Sequence, residues 1–191
     1  MAGVAAYRRA ARYRAFVVFD LHIVLDGRGG VAVDVMVSLD RAIRRVPMRS
    51  RPRFCRLIYS DGRGAVMLRS QWHNLHGKPD FIYKRRVTGG LIPMELKSGK
   101  APDAPHLGDL MQLAAYFIII EESHGKRPRR GVLRYADGMF VVKNTMRLRR
   151  QLLSITADMR LMLKTGQGAA SPSFVKCRYC VARDTVCEFC L

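Results

Sequence analysis

The sequence predicts an α/β fold with a mixed central sheet flanked by helices. Three observations carry that expectation. Short runs rich in branched and aromatic residues, bounded by Gly, Pro and charged turn residues, recur up to residue 96. Apolar residues at helical spacing then fill residues 107–124 and again 145–165. The resulting order of strands, helix, hairpin and helix suits a sheet with helices layered on it.

The elements follow in chain order. Residues 16–25 and 31–39 flank the turn DGRGG and read as a hairpin, and Ser38 can cap a short helix running through Val46 to Pro47. Beyond that, residues 1–53 form an unassigned basic segment. The arginines from Arg41 to Arg56 have almost no compensating acid, which suits either contact with DNA or a solvated basic face. Residues 54–59 and 65–69 are strand-like runs around SDGRG. Trp72 reads as a packing residue in preference to a platform for stacking a base. FIY and LIPMEL are two further strands, joined through Gly89-Gly90 as a hairpin.

Ser98, Gly99 and Lys100 lead into a rigid loop marked by Pro102 and Pro105. The helix over 107–124 is apolar nearly all round, as a helix lying across a sheet would be, and Gly125 stops it. Residues 131–135 and 139–143 make another hairpin around Ala136-Asp137-Gly138. Thr145 caps the last long helix, which Gly166 ends. GQGAASPS is linker-like, so residues 54–165 form the core and 166–191 a linker with a Cys-rich tail.

Composition narrows the function. The chain of 191 residues is 49% hydrophobic, enough for one ordinary core. Its 34 Lys and Arg against 15 Asp and Glu give a formal charge of +19, which points to a polyanionic partner, most simply nucleic acid. Nine basic residues face the single acid Asp137 between Lys126 and Arg150. Arg129, Arg130, Arg147, Arg149 and Arg150 are therefore the candidates for tracking a phosphate backbone. No apolar run reaches the about 18 residues of a membrane span, because Asp20 and His22 interrupt the best candidate. The expected setting is the reducing cytoplasm, in keeping with Cys residues crowded at one end of the chain.

The chemistry centres on Asp80 and Glu95-Leu96-Lys97. Side chains alternate along a strand, so Glu95 and Lys97 point the same way and Asp80, on the neighbouring strand, can converge with them. Adjacent carboxylates repel unless a cation lies between them, and hard oxygen donors suit Mg²⁺ or Mn²⁺. A lysine beside such a centre can hold a water and balance charge that grows on a phosphate. The pattern fits phosphodiester hydrolysis; the structural alternative is a hairpin with a polar face. Asp109, Gln112 and Tyr116 follow on the helix, Gln112 and Tyr116 sharing one face.

GKPD, IPMELKSGK and DLMQLAAYFIIIEE, with YSD at 59–61, LRS at 68–70 and the Cys-rich end, resemble the CRISPR-associated RecB-like exonucleases, the Cas-four family of the PD-(D/E)XK nuclease superfamily. The resemblance implies a restriction-endonuclease-like core and a metal-dependent deoxyribonuclease that trims single-stranded ends of spacer precursors in CRISPR adaptation, beside the CRISPR integrase. By the same resemblance Asp80 and Glu95 bind the metal and the Leu96 carbonyl adds a ligand. Lys97 is the catalytic lysine, and Gln112 and Tyr116 close the site over DNA. The metal-binding His or Glu that the family carries upstream of the aspartate has no match. This leaves open a non-catalytic DNA-binding subunit, and also a RecB-like nuclease of repair or of a mobile element.

Cys177-x2-Cys180-x6-Cys187-x2-Cys190 asks for a metal centre in a reducing cell, since four thiolates so close repel one another. Two CxxC pairs can hold zinc, although zinc ribbons usually separate such pairs by roughly 15–20 residues. The resemblance implies instead a 4Fe-4S iron–sulfur cluster, with Cys190 or the distant Cys55 as fourth ligand.

Overall fold

The computed structural model describes residues 42–47, 52–167 and 174–178. Eight strands run in chain order as β1 (Ile43–Val46), β2 (Cys55–Ser60), β3 (Leu68–Ser70), β4 (Leu75–Gly77), β5 (Phe81–Arg85), β6 (Leu91–Leu96), β7 (Arg130–Arg134) and β8 (Met139–Lys143). Among the described residues three helices accompany them: α1 (Leu107–His124), α2 (Met146–Thr165) and the single turn α3 (Phe174–Cys177). Six strands form one sheet in the order β1-β8-β7-β6-β5-β2, while β3 and β4 pair separately. Every neighbour in the large sheet is antiparallel except β6 and β7, the pair that α1 connects. A parallel pair requires a long crossover, and α1 supplies it. The sheet is mixed and flanked by two helices, as the sequence implied.

Alternation along β5 and β6 sorts the core into two clusters. Ile82 and Leu91 face α1 with Leu133, Phe117 and Ile120, whereas Tyr83, Ile92, Met94 and Val132 pack on the opposite face with Cys55 and Met139. A strand covered on both faces has no polar alternation, so Leu91 through Glu95 are all buried. The helix α1 is buried from Leu110 to Ile120 apart from Gln112. The sheet takes one side of it, and α2 and the β3–β4 hairpin take the others.

The long helices end as their sequences require. The Thr145 hydroxyl accepts a hydrogen bond from the Leu148 amide, and Gly125 and Gly166 adopt the left-handed conformation at the two C-termini.

Two expectations are corrected. Residues 43–46 are an edge strand paired with β8, Ile43 opposite Val142, and not the end of a helix; backbone pairing with an open sheet edge outweighs a local cap signal. Trp72 is not a packing residue: its side chain is 89% exposed in the β3–β4 turn. Hydrogen bonds hold that turn from both helices. The Glu122 carboxylate accepts from the Gln71 amide at 2.6 Å and from the Ser70 hydroxyl, while Arg160 donates to the carbonyls of His73 (2.6 Å) and Asn74 (3.1 Å). The sequence separates these partners by about fifty to ninety positions, so their contact was invisible in it. The predicted hairpin over 16–39 lies outside the described residues.

At Gly131 α1 approaches the sheet closely. A Cβ there would stand 2.8 Å from a Leu113 methyl and 2.9 Å from the Phe117 ring. Removing glycine from the unfolded chain favours folding by up to about 1 kcal/mol, but overpacking a core costs about 1–3 kcal/mol, so the clash wins. Gly131→Ala should lower the midpoint of thermal unfolding by several degrees (about 2–4 °C per kcal/mol at this size); an unchanged or raised midpoint would show that the helix does not rest on this strand.

Candidate active site

The β5–β6 register, Phe81 opposite Met94, sets Asp80 beside Glu95. Both lie at the same end of the sheet and on the face turned toward α1. The Asp80 carboxylate accepts a hydrogen bond from the Leu96 amide at 2.6 Å, and its carbonyl accepts one from the Asp61 amide at 2.9 Å. These bonds fix the aspartate between three segments of chain.

Glu95 is only 7% exposed. Burial, and next the charge of Asp80, raise its pKa from 4.5 to about 7, with Lys97 pulling the other way. One of its oxygens, Oε2, is buried and has no hydrogen-bond partner. A buried carboxylate with a vacant oxygen beside a second carboxylate is strained electrostatically, and a cation relieves that strain.

Gln112 organises the charges. Its amide nitrogen donates to Glu95 Oε1 at 2.7 Å, and its oxygen accepts from Lys97 Nζ at 2.5 Å. The reverse orientation of the amide would set oxygen against oxygen and nitrogen against nitrogen, so the network admits one arrangement. One helical turn later the Tyr116 hydroxyl accepts from the same Gln112 nitrogen at 3.0 Å and donates to the Lys78 carbonyl at 3.2 Å. Burial and the nearby Glu95 charge raise the pKa of this phenol, keeping it protonated as a donor. Its ring fits because residue 77 has no side chain: a Cβ on Gly77 would stand 3.0 Å from the Tyr116 ring. The glycine and the lysine of GKPD thus both meet Tyr116.

Lys97 lies just beyond β6, where its amide donates to the Arg134 carbonyl at 2.7 Å. Its ammonium stands 3.7 Å from Glu95 and 3.0 Å from Asp109. The other Asp109 oxygen accepts from the Tyr135 hydroxyl at 2.7 Å. Tyr135 is the site residue that sequence reasoning passed over; Asp109 was noted beside Gln112 and Tyr116 on the helix but given no role. The signal for Asp109 was its three-residue spacing from Gln112 on one helical face. Tyr135 required knowledge that β7 runs parallel to β6, which places the end of each strand beside the other.

Asp80 and Glu95 fit a hard divalent cation by donor type and by the unpartnered Glu95 oxygen. Among the described residues no third His, Cys, Asp or Glu joins them. His73 lies in the β3–β4 turn against the Ser70 hydroxyl at 3.1 Å, and His76 is buried on β4, its pKa lowered by that burial and by Arg69.

The basic candidates divide. Arg129 and Arg130 line a cavity at the opposite end of the sheet, where β5 ends and β6 and β7 begin. Arg147 and Arg150 are exposed near the start of α2. Arg149 instead pairs with Glu121 and ties α2 to α1.

Of the cysteines, Cys55 and Cys177 are buried free thiols. Burial raises the Cys55 pKa against the pull of Arg85 and Arg130, and its thiol donates to the Arg53 carbonyl at 3.2 Å. Cluster ligation would require this proton to leave. Cys180, Cys187 and Cys190 lie outside the described residues.

The raised Glu95 pKa has a signed consequence in metal-free buffer. At about 1.36 kcal/mol per unit, the rise from 4.5 to about 7 corresponds to roughly 3 kcal/mol of stability. That contribution is present below pH 4.5 and lost as pH climbs through about 7. Glu95→Gln, neutral throughout, should therefore unfold at a higher temperature than the parent at pH 8, with the gap closing toward pH 4.5. A parent as stable as the variant at pH 8 would contradict the buried, repelled carboxylate. No known protein-family model and no curated protein matches this chain.

Proposed function

We propose that the chain is a metal-dependent deoxyribonuclease of the PD-(D/E)XK kind that trims single-stranded DNA ends. The observation that carries this reading is the meeting of Glu95 and Lys97 on Gln112, with Asp80 set beside Glu95 by the strand register, at one end of the sheet. Asp80 and Glu95, with the Leu96 carbonyl, would hold Mg²⁺ or Mn²⁺. When bound, such an ion supplies a Lewis acid for a phosphoryl oxygen and lowers the pKa of a coordinated water.

The chain's own groups do the rest. Lys97, held by Asp109 and Gln112, presents donors to the attacking water and to negative charge on the phosphoryl oxygens. Gln112 fixes the distance between ammonium and carboxylate, which preserves that orientation when a substrate charge arrives. The sequence motifs favour a place in CRISPR adaptation beside the integrase, in the cytoplasm. No helix among the described residues is long and apolar enough to cross a membrane.

A second reading, a DNA-binding subunit without turnover, is favoured by one observation: no third protein ligand joins the two carboxylates among the described residues. The Cys-rich tail is proposed to hold an iron–sulfur cluster, with zinc as the alternative.

End-labelled single- and double-stranded DNA incubated with Mg²⁺, Mn²⁺ or EDTA tests the reading. The parent should cut only with metal, and Lys97→Ala and Glu95→Gln should each lose on the order of 10²–10⁴-fold in rate. Equal cutting by parent and variants would sink the assignment, and salt-sensitive binding with no cutting would establish the second reading. For the tail, anaerobic purification should give a coloured protein whose visible absorption disappears in Cys177→Ser; a colourless protein with stoichiometric zinc would replace the cluster.

A further inference from the structure

The end of the sheet away from the carboxylates carries a cavity of about 280 Å³ lined by Arg85, Thr88, Lys126, Arg127, Arg129 and Arg130 among others, with no acidic side chain in its wall among the described residues. Asp80 and Glu95 stand at the start of β5 and the end of β6, while Arg85 and Arg130 stand at the end of β5 and the start of β7. Five residues of strand separate the two ends. At about 3.3 Å per residue this is on the order of 15 Å, so the cavity is distinct from the carboxylate site.

Five cations around one small volume repel each other, and nothing in the wall neutralises them. Such a cluster persists at a functional site because a bound anion offsets the repulsion. Arg85 adds a more pointed sign: its Nε is buried and has no hydrogen-bond partner. The backbone that carries the cations is also held in place. The Asn144 side chain donates to the Pro128 carbonyl at 2.7 Å, and its amide donates to the Arg129 carbonyl at 3.0 Å, which locks the loop that carries the arginines. On the other wall Lys126 Nζ donates to the Thr88 carbonyl at 3.1 Å, bracing the Gly89 turn between β5 and β6. Preorganised guanidinium groups match the geometry of phosphate oxygens better than flexible lysines do.

We propose that this cavity is a second phosphate site, which grips the backbone of a nucleic-acid strand at a point remote from the carboxylates. It reads no base, since the wall offers charge and donors but no aromatic surface. A strand held here and cut at the other end would be anchored behind the reacting bond. The inference rests on the nucleic-acid reading above, but it concerns binding alone and is tested without turnover.

The assay is fluorescence anisotropy of a labelled single-stranded oligonucleotide in EDTA, titrated at several salt concentrations. Arg129→Gln with Arg130→Gln removes two exposed cations, and Arg147→Gln with Arg150→Gln removes the same charge from α2, outside the cavity wall. The cavity pair should lose about tenfold in affinity. The slope of log affinity against log salt should fall by about 1.4, that is about 0.7 for each of two lost single-strand phosphate contacts. The α2 pair should lose much less. Calorimetric titration with tripolyphosphate separates the sources: binding lost in the cavity pair for tripolyphosphate alone, with oligonucleotide affinity intact, assigns the site to a free oligophosphate and overturns the strand anchor. Equal losses in both pairs would make the effect one of net charge and overturn the site. So would unchanged binding of both ligands, with thermal unfolding confirming that the variants are folded.

Discussion

Helix α1 is buried from Leu110 to Ile120 apart from Gln112, and that burial dictates the chemistry at its polar positions. A helix so buried must be apolar almost everywhere, and any polar residue on it must find partners within the protein. Gln112 and Tyr116 find theirs in Glu95, Lys97 and the Lys78 carbonyl. The same contacts that satisfy the helix therefore align the carboxylate, the ammonium and the loop that carries Asp80. Structural need and chemical arrangement are one network, which explains why the motif residues are scattered over three segments of sequence yet meet at one point.

Much of this was legible in the chain, and the reason is local. Helix ends at Gly125 and Gly166, the Thr145 cap, and the hairpins around Gly89-Gly90 and Asp137-Gly138 depend on residues a few positions apart, so propensity and turn chemistry determine them. Glu95 and Lys97 were placed on one side by the period of a strand alone. What was not legible depended on distant partners. The strand at residues 43–46 exists because β8 offers an open edge, and Asp109 matters because a parallel strand brings Tyr135 beside it. Trp72 was misread because the sequence does not show that Glu122 and Arg160 fasten its turn with the indole outside the core.

The charge distribution is as informative as its total. Acidic groups gather where β5 begins and β6 ends, and each has a cation or a donor beside it. At the other end of the same strands the cations of the cavity stand together with no acid in its wall among the described residues. A single basic groove along residues 126–150, as the sequence implied, would have mixed these roles. The fold separates them by turning Arg149 inward to Glu121 and leaving Arg129 and Arg130 at the cavity.

The pairing of β1 with β8 bears on how the molecule is made. Ile43 sits opposite Val142, partners 99 positions apart (142 minus 43), and β1 and β2 occupy the two opposite edges of the sheet. A chain leaving the ribosome presents β1 well before β8, its one strand partner among the described residues, so this pairing must wait until the residues between them have emerged. Closing so long a loop also delays the last contact relative to the local hairpins. Short length and the exposed Arg44 and Arg45 suit a strand that must wait for β8, because charge on a strand discourages pairing with the wrong chain.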